Sequence, residues 1–295
     1  MGITGLKKLI QENAPDAIED IPLSACKGLR AAIDTSILTY QLGSASQTAT
    51  DDASRWRTFR RLAIGRMKTL NDLKITAVFV FDGEPPAIKE YELARRRALN
   101  NGSIPTITDE HFAFMRQCAT AAGFQCVDAP SEAEAQCARM CRDGLVDVVI
   151  TEDGDALTHG APVVLFGFKG SARTVKKITL ARVLTGLQLT MPAFIDMCIL
   201  LGCDYGPTLT GIGPKKAIQY MREHGSITKM IKAKSILVTP PTFRWIMPHR
   251  AFTEHETTVV HIVAPPSDPA FLARVLAEDY AAAAMNATAD AFDDE

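Results

Sequence analysis

Short β-prone runs that end in acid constrain this chain more than any other feature. Asp34 closes Arg30-Ala-Ala-Ile33, Asp82 closes Ala77-Val-Phe-Val-Phe81, and Asp153 with Asp155 follows Asp147-Val-Val-Ile150 across Thr151-Glu152. If these runs are neighbouring parallel strands, their carboxyl ends share one crevice, where open α/β sheets bind ligands. Glu132 and Glu134 from Ser131-Glu-Ala-Glu134, and Asp204 from Leu200-Leu-Gly-Cys-Asp204, add further acid. Anions a few ångströms apart repel and raise one another's pKa unless cations intervene. An all-oxygen set selects hard divalent ions, Mg2+ with Mn2+ as a substitute, over Zn2+.

The order of patterns predicts an α/β fold, a doubly wound and mostly parallel sheet flanked by helices. Strands are expected near 30–34, 77–81, 124–127, 147–151 and 162–166. Leu6, Leu9 and Ile10 mark an early amphipathic helix, and Phe59, Leu62, Ala63, Met67 and Leu70 mark another. Pro85-Pro86 opens a helix through about Leu99, Asn100-Asn-Gly-Ser-Ile-Pro105 interrupts it, and a further helix runs from about Asp109 to Ala122. From Met191 onward the pattern is helical and turn-rich. The resulting division is a nuclease-like α/β domain in two pieces, 1–97 and 124–190, around a cap segment 98–123. A helix-hairpin-helix element at 191–235, a C-terminal region at 236–283 and an acidic tail without order at 284–295 complete it.

With 295 residues and 47% hydrophobic content the chain can bury a substantial core. It has no apolar run of the ~20 residues that span a bilayer and no signal-peptide pattern, so an intracellular protein is expected, with no membrane partner. The seven cysteines include no C-x-x-C pair and read as reduced thiols, and the six scattered histidines read as structural or surface residues.

The formal net charge of -2 hides an uneven distribution. Three stretches are basic: Arg55, Arg57, Arg60, Arg61, Arg66 and Lys68; then Lys169, Arg173, Lys176, Lys177 and Arg182; then Lys215, Lys216, Arg222, Lys229, Lys232 and Lys234. Basic surfaces around an acidic metal centre suit a phosphodiester, whose backbone needs neutralising along its length and metals at one bond. Solvated helix faces are the plain alternative for each run.

Several motifs carry two readings. Ser131-Glu-Ala-Glu134 is also a capping box, in which Glu134 would turn back to the cap amide instead of toward metal. Thr208-Leu-Thr-Gly-Ile-Gly-Pro-Lys-Lys-Ala217 reads as a helix, a tight glycine hairpin and a second helix. There Gly211 and Gly213 permit close backbone approach, and Lys215 and Lys216 add charge; a generic turn is the other reading. Carbonyls exposed in such a hairpin can also hold a monovalent cation. Lys89 and Arg96 are seven apart and share one helix face, turned either to a scissile phosphate or to solvent. Tyr40 is either a core aromatic or a stacking platform for a base.

Together these residues resemble the flap endonuclease family of structure-specific 5′ nucleases, from Met1-Gly-Ile-Thr-Gly-Leu6 to about Ile227. The matching segments are Ala32-Ile-Asp-Thr-Ser36, Val80-Phe-Asp-Gly-Glu-Pro-Pro86, Asp128-Ala-Pro-Ser-Glu-Ala-Glu134, Thr151-Glu-Asp-Gly-Asp155, Cys198-Ile-Leu-Leu-Gly-Cys-Asp-Tyr205 and Gly211-Ile-Gly-Pro-Lys215. The resemblance implies a PIN-like fold with a helix-hairpin-helix of H2TH type and a helical arch, here short, between Arg97 and Phe124. It implies two Mg2+ ions held by Asp34, Asp82, Glu132, Glu134, Asp153, Asp155 and Asp204, with Lys89 and Arg96 catalytic. It places Gly2 beside the site, Tyr40 on a base, and K+ on the carbonyls of Thr208, Leu209 and Ile212. The implied substrate is branched DNA with a 5′ single-stranded flap, cut by a monomer in the nucleus, or at a cytoplasmic or nuclear replication site if the host is a large DNA virus. The sliding-clamp box of cellular members has no counterpart in Ala291-Phe-Asp-Asp-Glu295. A 5′-3′ exonuclease or a Holliday-junction resolvase shares the same motifs, and a non-catalytic junction-binding protein is a more distant reading.

Overall fold

The computed structural model describes residues 2–90, 92, 94, 107–169, 172–233, 243–263 and 265–290, with backbone alone at 280 and 282–290. Its helices are α1 (Leu6–Asn13), α2 (Thr35–Ser46), α3 (Asp52–Asp72), α4 (Asp109–Ala121), α5 (Ala133–Arg142) and α6 (Asp155–Thr158), followed by α7 (Leu180–Leu187), α8 (Met191–Leu201), α9 (Pro214–His224), α10 (Ile227–Ala233), α11 (Ile246–Thr253) and α12 (Pro269–Asp290). The strands are β1 (Ile18–Pro22), β2 (Arg30–Asp34), β3 (Thr76–Phe81), β4 (Gln125–Asp128), β5 (Val148–Ile150), β6 (Val163–Phe166) and β7 (Thr174–Thr179).

These strands form one sheet in the order β1-β7-β6-β5-β2-β3-β4. β2 pairs in parallel with β3 on one side and β5 on the other, and β4 and β6 extend the parallel set. The chain builds from β2 through β3 to β4, then crosses to β5, so the order reverses between β2 and β5. That reversal is a topological switch point, and it opens a crevice at the carboxyl ends of the central strands.

The parallel strands lie where their apolar runs predicted them. β1 and β7 were not anticipated, because Ile18-Glu-Asp-Ile-Pro22 and Thr174-Val-Lys-Lys-Ile-Thr179 are too charged to read as strands. They pair antiparallel at the edge with Glu19 opposite Lys177 and Asp20 opposite Lys176, a cross-strand match that each run lacks alone.

One face of the sheet carries α2, α3 and α4. In α3, Asp51 caps the helix by accepting from Ser54 N–H at 2.8 Å, and Phe59, Ala63, Met67 and Leu70 follow at helical spacing into the core. Phe114, Met115, Cys118 and Ala119 of α4 are buried in the same cluster. The segment 98–123 is therefore not all arch. Its second half repeats apolar residues at helical spacing and belongs to the core, while 95–106, with Arg96, lies outside the described residues. Between β3 and that point the chain makes a 3₁₀ turn at Ala87–Lys89.

The other face carries α1, α5 and α8 over Val78, Val80 and Val149. No helix occupies Gly202 to Gly213, so the expected helix at Thr208 is replaced by α8, ending at Leu201. At the far end α12 continues to Asp290, past Ala284 where order was expected to stop. Its run Ala281-Ala-Ala-Ala284 combines the residue of highest helix propensity with an anchored first half. Phe271 and Val275 pack on the core, and buried Asp279 pairs with Arg60. No single described helix is long and apolar enough to cross a membrane.

Candidate active site

Asp34 ends β2 and is 1% exposed. Its carboxylate caps α2 by accepting from Ile37 N–H at 3.1 Å, and it accepts the Thr151 hydroxyl at 3.0 Å. Asp82, just after β3, is exposed and accepts from Ala133 N–H at 2.7 Å. The double reading of Ser131-Glu-Ala-Glu134 turns on where the next helix starts. The helix α5 starts at Ala133, Glu132 stands at its cap position with no side-chain cap bond, and a carboxylate from another strand takes the free N–H. Glu134 is not used as a capping-box partner.

Beyond β5 the backbone is tied by its own acids. Asp153 N–H donates to the Thr151 hydroxyl at 3.0 Å, and Asp155 N–H donates to Asp153 Oδ1 at 2.9 Å. Ile3 N–H donates to Asp155 Oδ1 at 3.1 Å, which brings the N-terminal segment to the crevice. Gly2 has φ +81, and a Cβ on it would stand 1.8 Å from Asp153 Oδ1. Only glycine fits there, on both counts.

On the opposite wall, Lys89 reaches in from the 3₁₀ turn. Its Nζ pairs with Glu132 Oε1 and lies 3.6 Å from Asp204 Oδ2, and the side chain is 16% exposed. The Tyr205 hydroxyl donates to Glu132 Oε2 and has His159 Nε2 at 3.3 Å. Sequence reasoning missed Thr151, Tyr205 and His159, because a hydroxyl or imidazole that acts through a neighbouring carboxylate has no spacing of its own.

The electrostatics follow from this crowding. Burial, then Asp82 and Asp153, pushes Asp34 up to about 7. Burial and neighbouring carboxylates likewise hold Glu134 and Asp155 well above the usual carboxylate range. For Lys89 burial works against the charge, but Glu134, Glu132 and Asp204 outweigh it and hold the ammonium above its ordinary value. A cation added to this crevice would relieve the repulsion, and the donor set is all oxygen, so hard divalent ions fit it. Among the described residues no three acidic, His or Cys side chains already close on a metal point.

Tyr40 is half-buried on α2, with its ring 6.5 Å from Phe112. It lines a cleft of about 900 Å³ together with Arg61, Lys169 and Asp153. The hairpin lies between α8 and α9. Gly211 has φ +82 and Gly213 stands at the cap of α9 before Pro214. Ile212 N–H donates to Leu209 O at 3.3 Å, Lys216 Nζ donates to Gly211 O at 2.9 Å, and Thr208 is exposed at the edge of the loop.

The three basic runs have different fates. Lys215, Lys216, Arg222, Lys229 and Lys232 are exposed on α9 and α10, while Lys234 lies outside the described residues. Lys176 pairs with Asp20, and Lys177 and Arg182 pair with Glu19. In the first run Arg60 pairs with Asp279, and Arg66 is buried, pulled down to about 10 by that burial, where it donates to Phe168 O. Arg61 and Lys68 stay exposed.

Residues 1–102 match the XPG N-terminal domain and residues 123–204 the XPG I-region. Flap endonuclease 1 of Ostreococcus tauri is 36% identical over 275 residues, covering 83% of this chain and 71% of that protein. Among solved structures, the catalytic core of Rad2 in complex with DNA substrate has the same fold, with a TM-score of 0.76 at 23% identity over 94% of this chain and 95% of that one. Flap endonuclease-1 from Methanococcus jannaschii gives a TM-score of 0.72 at 24% identity over 89% and 90%. The fold and the two matched domains define an XPG-type protein. More narrowly, the chain belongs to the flap endonuclease family.

Proposed function

We propose that this protein is a divalent-metal-dependent, structure-specific nuclease that incises DNA near the junction of a 5′ single-stranded flap and duplex. A single observation carries the reading: buried carboxylates at one switch point, with Lys89 inserted among them, belong to the same fold as a glycine hairpin flanked by exposed lysines. The first arrangement suits hydrolysis of one phosphodiester and the second suits grip on a duplex backbone.

Asp34, Asp82, Glu134, Asp153 and Asp155 would hold two divalent ions, with Glu132 and Asp204 as outer ligands. The chemistry such ions supply, Mg2+ or Mn2+, is Lewis acidity at the scissile phosphate. Lys89, and by family resemblance Arg96, would neutralise charge that builds on the phosphate as the bond breaks. Gly2 leaves room for substrate beside Asp153, and Tyr40 offers a ring to the base next to the cut. Lys215 and Lys216 would hold duplex phosphates beside Gly211 and Gly213, with K+ on the carbonyls of Thr208, Leu209 and Ile212. Hydrolysis would leave a 5′ phosphate, with 5′-3′ exonuclease action as a side activity. The protein would act as a monomer on nuclear DNA.

A panel of 5′-flap, nicked, blunt and four-way junction substrates in Mg2+ tests this. Incision of the flap near its junction, faster than of any other member, is the expected result. Preferred cutting of the four-way junction would make the protein a resolvase, and preferred cutting of blunt or nicked ends an exonuclease.

A further inference from the structure

A buried polar chain stands behind the crevice. Tyr205, 3% exposed, donates its hydroxyl proton to Glu132 Oε2, and Glu132 Oε1 meets Lys89 Nζ. The phenol has one proton, so its 3.3 Å contact with His159 Nε2 is satisfied only if the imidazole donates. In that arrangement Nε2 carries the hydrogen, and Nδ1 is a buried acceptor with no partner among the described residues.

The surroundings keep the ring neutral. His159 is 2% exposed, and that burial, then His255, Lys89 and Arg142, opposes a protonated ring. Arg142 donates to the His159 carbonyl, and its second nitrogen lies 3.3 Å from His255 Nε2. Phe252 of α11 packs on both rings, 4.7 Å from Tyr205 and 5.0 Å from His159.

We propose that His159 is a positioning residue: through the Tyr205 hydroxyl it orients Glu132, and through Glu132 it sets where the Lys89 ammonium lies. This rests on the reading of Lys89 as a group that acts on the phosphate. Without the relay, Glu132 keeps its charge but not its direction, and Lys89 can swing with it. A carboxylate held from only one side still neutralises the lysine, so the loss appears in rate and not in DNA affinity.

Three variants test the relay, each measured for single-turnover flap cleavage, flap affinity and Tm. Y205F removes the hydroxyl alone and is expected to lower the rate by about 10-fold or more, with affinity unchanged, as for other groups that orient a side chain at a metal site. H159L keeps similar bulk without the donor and is expected to fall equally. H159Q places an amide N–H near the Nε2 position and should stay within about 3-fold of wild type. Equal rates for H159Q and H159L would overturn the proposal, since packing alone would then suffice, as would a Y205F rate equal to wild type. An independent readout needs no cleavage. Nitrogen chemical shifts of the His159 ring in the metal-free protein should report the Nε2–H tautomer in wild type and a mixture in Y205F. An Nδ1–H tautomer in wild type would overturn the relay. Absence of flap cleavage by wild type itself would remove the functional reading and leave the tautomer measurement to judge the relay.

Discussion

The crevice and the hairpin both concentrate charge, but of opposite sign and opposite hydration. In the crevice Asp34, Asp153 and Asp155 are nearly inaccessible, and desolvation raises Asp34 to about 7. On α9 and α10 the lysines stand in water. Desolvated charge interacts strongly and is screened far less by salt, so it can alter a barrier; solvated charge releases counterions and sets affinity. The crevice should therefore govern rate, and the hairpin should govern binding.

Asp153→Ala tests the first half most severely. Cleavage is expected to fall by about 1,000-fold or more, with junction affinity within several-fold of wild type. Equal losses in both would merge the two regions into one. Lys89→Ala should lower the single-turnover rate by about 100-fold with little effect on affinity, because its charge acts where the phosphate reacts. A matching affinity loss would make Lys89 an ordinary phosphate contact.

Gly2→Ala introduces a methyl where a Cβ stands 1.8 Å from Asp153 Oδ1, so Asp153 or the N-terminal segment must move. A rate loss of about 10-fold or more is expected, with affinity and Tm nearly unchanged. A wild-type rate would show that the N-terminal segment does not border the reacting phosphate.

The smallest effect sharpens the other half. Lys215→Ala with Lys216→Ala should weaken duplex binding about 10-fold and lower the salt slope by roughly 2. The parallel pair Lys176→Ala with Lys177→Ala should change neither, since these lysines already face Asp20 and Glu19. Similar losses from both pairs, read by titration across salt concentrations, would break the distinction.

The same lysines show what could be read in advance. The central parallel strands β2, β3 and β5 are legible because they are apolar runs buried on both faces, and the acids at or just beyond their ends point to the crevice. The antiparallel edge is not, since β1 and β7 become strands only when each finds the other's charges. Lys176, Lys177 and Arg182 read as surface charge in the sequence for the same reason: their acids, Asp20 and Glu19, lie more than 150 residues earlier in the chain. Asp82 shows the converse. A local capping box is visible at Ser131, but the helix starts at Ala133 with Glu132 at its cap, and its first N–H goes to Asp82, some fifty residues earlier in the chain. Tertiary partners override local pattern wherever the pattern leaves a polar group unclaimed.

The central claim is that this carboxylate crevice cuts a 5′ flap with divalent metal. Single-turnover cleavage of a labelled flap substrate across free Mg2+ concentrations tests it most directly. The account predicts no incision in chelator, a rate that rises with Mg2+ to a plateau, and one dominant product carrying a 5′ phosphate, cut near the junction. Incision undiminished by chelator, or a product with a 5′ hydroxyl, would contradict it.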